Sequence, residues 1–130
     1  MRRSAGFTLI ELLIATAVVS ILAAIAYPSY QQYIIRTNRS SAMQFMLQMA
    51  NREEQFLLDA SAYTATVGTG GLNLTPPAEL GTRYTFSAAA TAGPPPTYTL
   101  TATAIGDQAS DGNLTLDNLG QKTPADKWKG

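Results

Sequence analysis

The feature that most constrains this chain is an apolar run at residues 7–27, FTLIELLIATAVVSILAAIAY. At 1.5 Å per residue, a helix of these 21 residues is about 30 Å long, which is the thickness of a membrane's hydrocarbon layer. The basic pair Arg2 and Arg3 precedes the run and favours a cytoplasmic N-terminus. The remainder of the chain is therefore expected on the far side of the membrane.

A simple signal anchor would also explain this run. A cleavable secretory signal would need a small-residue cleavage site after the run, and Pro28, Ser29 and Tyr30 fit such a site poorly. Glu11 argues against a simple anchor, because a carboxylate in a membrane helix costs a few kcal/mol unless it finds a partner. If the chain were cut between Gly6 and Phe7, the carboxylate would lie one helical turn from the new amine, and in a polymer it could pair with the amine of a neighbour. Such a buried pair would specify register more than it would add stability.

Composition narrows the classes of function for the rest of the chain. The sequence contains neither cysteine nor histidine, which removes disulfides, thiolate chemistry, the commonest general base and the commonest transition-metal ligand. The formal net charge is zero, so nothing global favours a nucleic-acid partner. An enzyme is not expected, and neither a cofactor nor a metal is predicted.

The segment Gly6-Phe7-Thr8-Leu9-Ile10-Glu11 resembles the class III signal of type IV prepilins and type II secretion pseudopilins. The resemblance implies cleavage after Gly6 and methylation of Phe7 by a membrane-embedded prepilin peptidase/methyltransferase. It also implies a membrane-inserted subunit that joins other pilin subunits at an inner-membrane assembly platform. The expected localisation is the inner membrane, single-pass, with the bulk periplasmic, and then the pilus at the cell surface.

Within this class, the stretches at residues 26–33 and 50–56 resemble PilE-type minor pilins. The expected function is a structural subunit of a type IV pilus. A pseudopilin of a type II secretion system and a DNA-binding pilin of natural transformation remain alternatives, with DNA a weakly supported partner.

Helical periodicity resumes after Pro28 and continues to about Asp59, and the resemblance implies a helix that loosens or kinks at Pro28. The alternative is that Pro28 ends the helix. The expected buried face comprises Tyr30, Tyr33, Ile34, Met43, Met46, Leu47, Ala50, Phe56 and Leu57. The other faces hold Arg36, Arg39, Asn51, Arg52, Glu53 and Glu54. Met43, Met46 and Met49 favour core packing over an adaptable binding surface.

Residues 61–82 read as a connecting loop rich in glycine and proline. Alternating apolar residues then predict three antiparallel strands at 83–89, 97–104 and 113–117. The fold class is thus α+β: a long N-terminal helix packed on a three- to four-stranded antiparallel sheet, as in the pilin fold. The expected segments are a leader (1–6), a transmembrane and polymerising helix (7–28), an amphipathic half-helix (29–60) and a globular remainder (61–130).

The tail also resembles PilE-type pilins, through Leu114-Thr115-Leu116-Asp117, Gly120, Lys122 and Trp128. In that family a disulfide usually occupies the positions of Asn113, or its neighbour Gly112, and Lys127. This loop is therefore expected to be less rigid, or to be held by Trp128 and hydrogen bonds instead. The oxygen-bearing residues Asp107, Asp111, Asn113 and Asp117 lack the spacing of a calcium loop and favour turns. The cations outside the membrane segment are Arg36, Arg39, Arg52, Arg83, Lys122, Lys127 and Lys129. The three lysines near Trp128 form a small cluster, and a solvated face is its expected role.

Overall fold

The computed structural model describes residues 4–129, so Arg2 and Arg3 lie outside the described residues. Helix α1 spans Leu9–Ala60 and helix α2 spans Ala78–Gly81. Four strands follow: β1 at Tyr84–Thr91, β2 at Thr97–Ala104, β3 at Leu114–Asp117 and β4 at Lys122–Thr123. A 3-10 helix, Gly106–Asp111, connects β2 to β3. The chain divides into two units, residues 1–34 and residues 35–130, which are described separately.

The first unit consists of the start of α1 and the segment before it. Its apolar side chains are exposed, with Leu9 at 79%, Val19 at 64% and Ile25 at 66%. The helix is long and apolar enough to cross a membrane, and none of its most apolar stretch is buried within the chain. Such a surface is unsuited to water and requires either lipid or other apolar helices around it.

Pro28 lies inside α1, and the backbone is helical on both sides of it. The alternative that Pro28 ends the helix is therefore wrong, while loosening of α1 at this position in a filament stays a prediction. Proline has a backbone φ compatible with a helix, so the helix can continue although Pro28 donates no hydrogen bond. A kink at Pro28 remains a prediction.

In the second unit, the rest of α1 packs on the sheet. Its buried residues are Ala42, Phe45, Met46, Met49 and Glu53. Their spacing is that of a single helical face. The buried face of α1 lies at a different angle around the helix from the predicted one, since Tyr30 and Tyr33 are exposed, as is Leu47 at 43%. Glu53, predicted to be on a solvent face, is fully buried. Met46 and Met49 are fully buried and Met43 packs against the core, which confirms the core assignment of the methionines.

The sheet is an antiparallel meander in the order β1-β2-β3-β4. The three predicted strands are confirmed, with Tyr84 opposite Ala104 and Leu100 opposite Leu116. A two-residue β4 extends the sheet beside β3. The alternating apolar side chains of these strands face the core: Tyr84, Tyr98, Leu100, Ala102, Leu114 and Leu116 are buried, and Phe86 and Ala88 are partly buried. The Phe45 and Phe86 rings meet edge to face at 4.7 Å, which joins α1 to β1.

The connection between α1 and β1 is more ordered than the sequence predicted. Leu72, Leu74 and Leu80 are buried in the core, and Leu80 lies in α2, a helix that was not expected. The amide of Leu72 donates to the carbonyl of Thr66 at 2.9 Å. A Cβ on Gly71 would overlap this same carbonyl, so the close approach of the two backbone segments requires glycine here.

Candidate functional site

The predicted cleavage site lies in exposed, non-helical backbone. Residues 4–8 form no regular element, and α1 begins two residues after Phe7. Nothing lies within 4 Å of the position that a Cβ on Gly6 would occupy, and the Phe7 side chain is 84% exposed. A peptide bond in a non-helical, uncovered segment is open to a peptidase, whereas a bond inside α1 would become accessible only after the helix unwound.

Glu11 is not a lone carboxylate in this structure. Its Oε2 accepts hydrogen bonds from the Thr8 amide at 2.8 Å and the Thr8 hydroxyl at 2.9 Å. In return, the Glu11 amide donates to the Thr8 hydroxyl oxygen at 3.2 Å. Since α1 starts at Leu9, Thr8 is the N-cap and Glu11 the third helical residue. These three hydrogen bonds and the positions of the two residues are those of a capping box, which satisfies amide donors that every helix start leaves unpaired.

Sequence reasoning missed this partner of Glu11. The signal was present as Thr-x-x-Glu directly before an apolar run. The consequence is chemical: the carboxylate is held at the first turn of α1, where the helix dipole favours negative charge. It also stays exposed, so a positively charged group from outside can approach it.

The second cluster of polar side chains surrounds Asp111, at the end of the 3-10 helix. Its side chain is only 5% exposed, and its Oδ1 lies 2.6 Å from Arg39 Nη1 and 2.9 Å from Lys127 Nζ. The Tyr84 hydroxyl is 3.5 Å from Oδ2, and burial raises the pKa of Tyr84 to about 12. Two cations around one shielded carboxylate compensate its charge, which a buried carboxylate needs.

Gln108 completes this cluster and is itself fully buried. Its Nε2 donates to the Ile35 carbonyl and to the Tyr84 hydroxyl, both at 3.0 Å. Its Oε1 accepts from Asn38 at 3.2 Å. The cluster thus ties the amphipathic part of α1 to the 3-10 helix and β1. Sequence reasoning did not anticipate it, because neither Gln108 nor Arg39 belongs to an apolar pattern.

The C-terminal loop is closed by charge at the place where the resemblance implies a disulfide. Lys127 reaches Asp111, the residue directly before Gly112. Trp128 donates from Nε1 to the Thr123 carbonyl at 3.4 Å and packs against the core, as predicted. Lys122 lies 5.4 Å from the centre of the Trp128 ring, within range of a cation–π contact. Of the lysine cluster, Lys127 is therefore an ion-pair partner rather than part of a solvated face.

The four oxygen-bearing residues weighed as calcium ligands each have a different protein partner. Asp107 pairs with Arg83 at 3.1 Å, and Asn113 accepts from the Ala104 amide at 3.0 Å. Asp117 accepts from the amides of residues 119 and 121, both at 2.9 Å, which confirms its role in a turn. Within residues 4–129, no three acidic, histidine or cysteine side chains are grouped as a metal site.

The fold and the N-terminal segment define a class of protein. A family model for the prokaryotic N-terminal methylation motif matches residues 1–27, the part that contains Gly6, Phe7 and Glu11. A second model, described as "Type IV minor pilin ComP, DNA uptake sequence receptor", matches residues 28–115. The chain belongs to this family of type IV minor pilins.

Curated relatives agree with this assignment. The chain is 47% identical over 70 residues to a type IV major fimbrial protein FimA of Dichelobacter nodosus, covering 53% of this chain and 45% of the relative. It is 35% identical over 88 residues to the fimbrial protein EcpC of Eikenella corrodens, covering 68% of this chain and 58% of the relative. The chain thus spans about half the length of these relatives. Both relatives are described as fimbrial proteins.

A solved structure supports the fold. The type IV pilin from Shewanella oneidensis superimposes with a TM-score of 0.54 at 24% identity, covering 70% of this chain and 92% of that chain. The predicted pilin fold, a long helix packed on an antiparallel sheet, is confirmed.

Proposed function

We propose that this chain is a structural subunit of a type IV pilus that is cut between Gly6 and Phe7, methylated at Phe7 and assembled through α1. The observation that carries the proposal is the start of α1: an accessible Gly6–Phe7 bond, then Glu11 held at the first turn of an exposed apolar helix. The partners are other pilin subunits, a prepilin peptidase/methyltransferase and an inner-membrane assembly platform.

Before assembly, the apolar part of α1 crosses the inner membrane with its N-terminus cytoplasmic, because Arg2 and Arg3 favour that side. The globular unit then lies in the periplasm, and the pilus carries it to the cell surface. Apolar helix packing drives polymerisation, and the Glu11 carboxylate selects the register by meeting the Phe7 amine of a neighbouring subunit.

The capping box makes the test of Glu11 sharper, because charge and capping can be separated. Glu11→Gln keeps an acceptor for Thr8 and loses the charge, while Thr8→Val loses the cap and keeps the charge. If charge selects register, Glu11→Gln and Glu11→Ala should both reduce incorporation into sheared filaments by ~10-fold or more, since removing one partner of a buried ion pair costs about 3–5 kcal/mol. Thr8→Val should incorporate well, as losing a cap costs about 1 kcal/mol.

Quantitative immunoblotting of sheared filaments against total protein measures incorporation. Membrane insertion and cleavage after Gly6 serve as controls, and both should persist in all three variants. Normal incorporation of Glu11→Gln would show that the cap, not the charge, is what assembly uses, and the register argument would be abandoned.

A second candidate function is DNA binding, which two observations favour. The family description names a receptor for DNA uptake sequences. Lys122 is exposed beside the Trp128 ring, and Lys129, which follows Trp128 in the sequence, is exposed as well. Lys127 and Arg39 contribute less positive potential, because both pair with Asp111. A surface with so few unpaired cations makes few phosphate contacts, so its affinity for DNA should depend only weakly on salt. For each phosphate contact, the binding constant should fall by about one logarithmic unit per tenfold increase in salt concentration.

A mobility-shift titration of duplex DNA tests this candidate. Lys122→Ala combined with Lys129→Ala should weaken binding, while the exposed Arg52→Ala, on α1, should not. DNA binding that is absent at low salt, or that responds equally to both changes, would reject this surface as the DNA contact.

A further inference from the structure

Three tyrosines follow the apolar run of α1 at regular spacing. Tyr27, Tyr30 and Tyr33 are 65%, 62% and 66% exposed. In an α-helix, residues three apart are rotated by about 60°, so the three rings occupy one side of the helix over about 120°. We call these three side chains the tyrosine belt. All lie within the first unit of the chain.

The height of the tyrosine belt along the helix fits a membrane boundary. Helix α1 begins at Leu9, and the 18 steps from there to Tyr27 are about 27 Å of helix, close to the hydrocarbon thickness of roughly 30 Å. The six residues from Tyr27 to Tyr33 add about 9 Å, close to the roughly 5–8 Å occupied by the headgroup layer on one side. The rings therefore begin where hydrocarbon ends and finish where water begins.

The chemistry of the belt fits the same layer. A tyrosine ring is apolar while its hydroxyl needs a polar partner, and this combination places tyrosine at membrane–water boundaries. The Tyr27 hydroxyl accepts a hydrogen bond from Gln31 Nε2 at 3.1 Å. Its own proton is thus left for an acceptor, such as a lipid ester carbonyl or phosphate oxygen. Exposed Ser29 and Gln32 give the interval a polar character that pure hydrocarbon would disfavour.

We propose that the tyrosine belt binds the periplasmic headgroup layer of the inner membrane and sets the depth of the unassembled subunit. By fixing depth at this end, the belt places the Gly6–Phe7 bond and Glu11 at the opposite boundary, where a peptidase and a neighbouring subunit must find them. The inference rests on the proposed membrane insertion of α1. It adds a lipid partner for residues that lie outside the hydrophobic core cluster.

The test measures depth by cysteine labelling, for which the cysteine-free chain is a clean background. Single cysteines are placed in the full chain and treated with a membrane-impermeant maleimide in spheroplasts of cells that lack the pilus assembly platform. The substitutions that form the depth ladder are Val19→Cys, Ala26→Cys, Ser29→Cys, Gln32→Cys and Ile35→Cys. In the native background, protection should end between positions 26 and 32.

Replacing the belt by leucine at all three positions should move the end of protection towards the C-terminus by at least one helical turn, about four residues. Labelling at positions 29 and 32 should then fall about tenfold. Replacing the belt by tryptophan should leave the boundary in place, because tryptophan shares the preference for this layer. Gln44→Ala with Gln48→Ala, two exposed positions of α1 outside the tyrosine belt, is the matched control and should also leave it in place.

An unchanged boundary in the leucine variant would overturn the proposal. If that variant instead lost incorporation into filaments in piliated cells with its boundary unchanged, the rings would be contacts for a second copy of the chain. If the proposed membrane insertion of α1 is itself wrong, the result is different: Val19→Cys should then label as fast as Ile35→Cys even when the three tyrosines are present. Protection at position 19 in every variant shows that the altered chains still insert.

Discussion

Glu53 provides the sharpest test of the globular unit. Its side chain is fully buried on α1; Oε2 accepts from the Thr64 amide at 3.0 Å, and among residues 4–129 Oε1 has no hydrogen-bond partner. Burial raises the pKa of Glu53, the Thr64 amide lowers it and the neighbouring Glu54 raises it, for a net increase. The fold therefore favours the protonated acid, in contrast to most carboxyl groups at ion pairs.

The sign of the pH dependence follows from this direction. A carboxyl whose pKa is higher in the folded state contributes its full stability below the unfolded value of 4.5, and that contribution is lost as the pH rises through the folded value. Glu53→Gln has nearly the same shape and keeps an oxygen for the Thr64 amide, but it cannot ionise. At pH 4 and below the two proteins should differ by less than about 0.5 kcal/mol, because each buries one unpartnered neutral group.

At pH 8 the variant should be the more stable by about 1–3 kcal/mol, the usual cost of a buried polar group without a partner. Urea denaturation followed by circular dichroism between pH 4 and pH 8 measures the difference. Glu54→Gln is the matched control; this side chain is exposed, so its substitution should produce a much weaker trend. A difference for Glu53→Gln that stays constant with pH, or that favours the native residue at pH 8, would refute the reasoning.

Four further predictions follow from the fold and the site. Asp111→Asn should lower the free energy of unfolding by about 2 kcal/mol, because it weakens charge-assisted hydrogen bonds. The control Asp107→Asn, at a 93% exposed side chain, should change it by less than about 0.5 kcal/mol. Equal losses for the two variants in urea denaturation would contradict the role of the cluster. Gly71→Ala should lower the thermal midpoint, since its methyl group would overlap neighbouring backbone, at a cost of about 1–3 kcal/mol; an unchanged midpoint would show that the loop yields easily. A fragment beginning at Tyr30 should fold by itself, because the core lies within residues 35–130; a disordered circular dichroism spectrum would contradict this. Mass spectrometry of the mature protein should find a methylated Phe7 at its N-terminus, whereas an N-terminus after residue 27 would indicate an ordinary secretory signal.

Much of the fold could be predicted because it depends on strong local patterns. The alternation of apolar residues over 97–104 predicted both ends of β2 correctly. This strand lies between β1 and β3, and every second side chain along it faces the core, as the two-residue period of the sequence indicates. The face of α1 that packs on the sheet was harder to predict. Tyr30 and Tyr33 fit the apolar pattern but are exposed, whereas Glu53 does not fit the pattern and is buried.

The elements that were missed owe their stability to distant contacts. The 3-10 helix carries Gln108, whose partners lie 24 and 73 residues away in the sequence, and α2 has only four residues, one of them buried. No window of local sequence reports such contacts. The cap at Thr8 is different, because its pattern is local and was available to sequence reasoning.

An ion pair between Lys127 and Asp111 closes the C-terminal loop, and this changes the conditions under which the loop can form. A covalent bridge would depend on an oxidising compartment and its thiol oxidants, whereas this loop closes as soon as the two side chains meet. Reducing agents should leave it intact. Dissolved ions should weaken it only modestly, because the Asp111 side chain is 5% exposed and salt screens shielded charges much less than exposed ones. The tail of this pilin is thus indifferent to redox poise and only weakly sensitive to salinity.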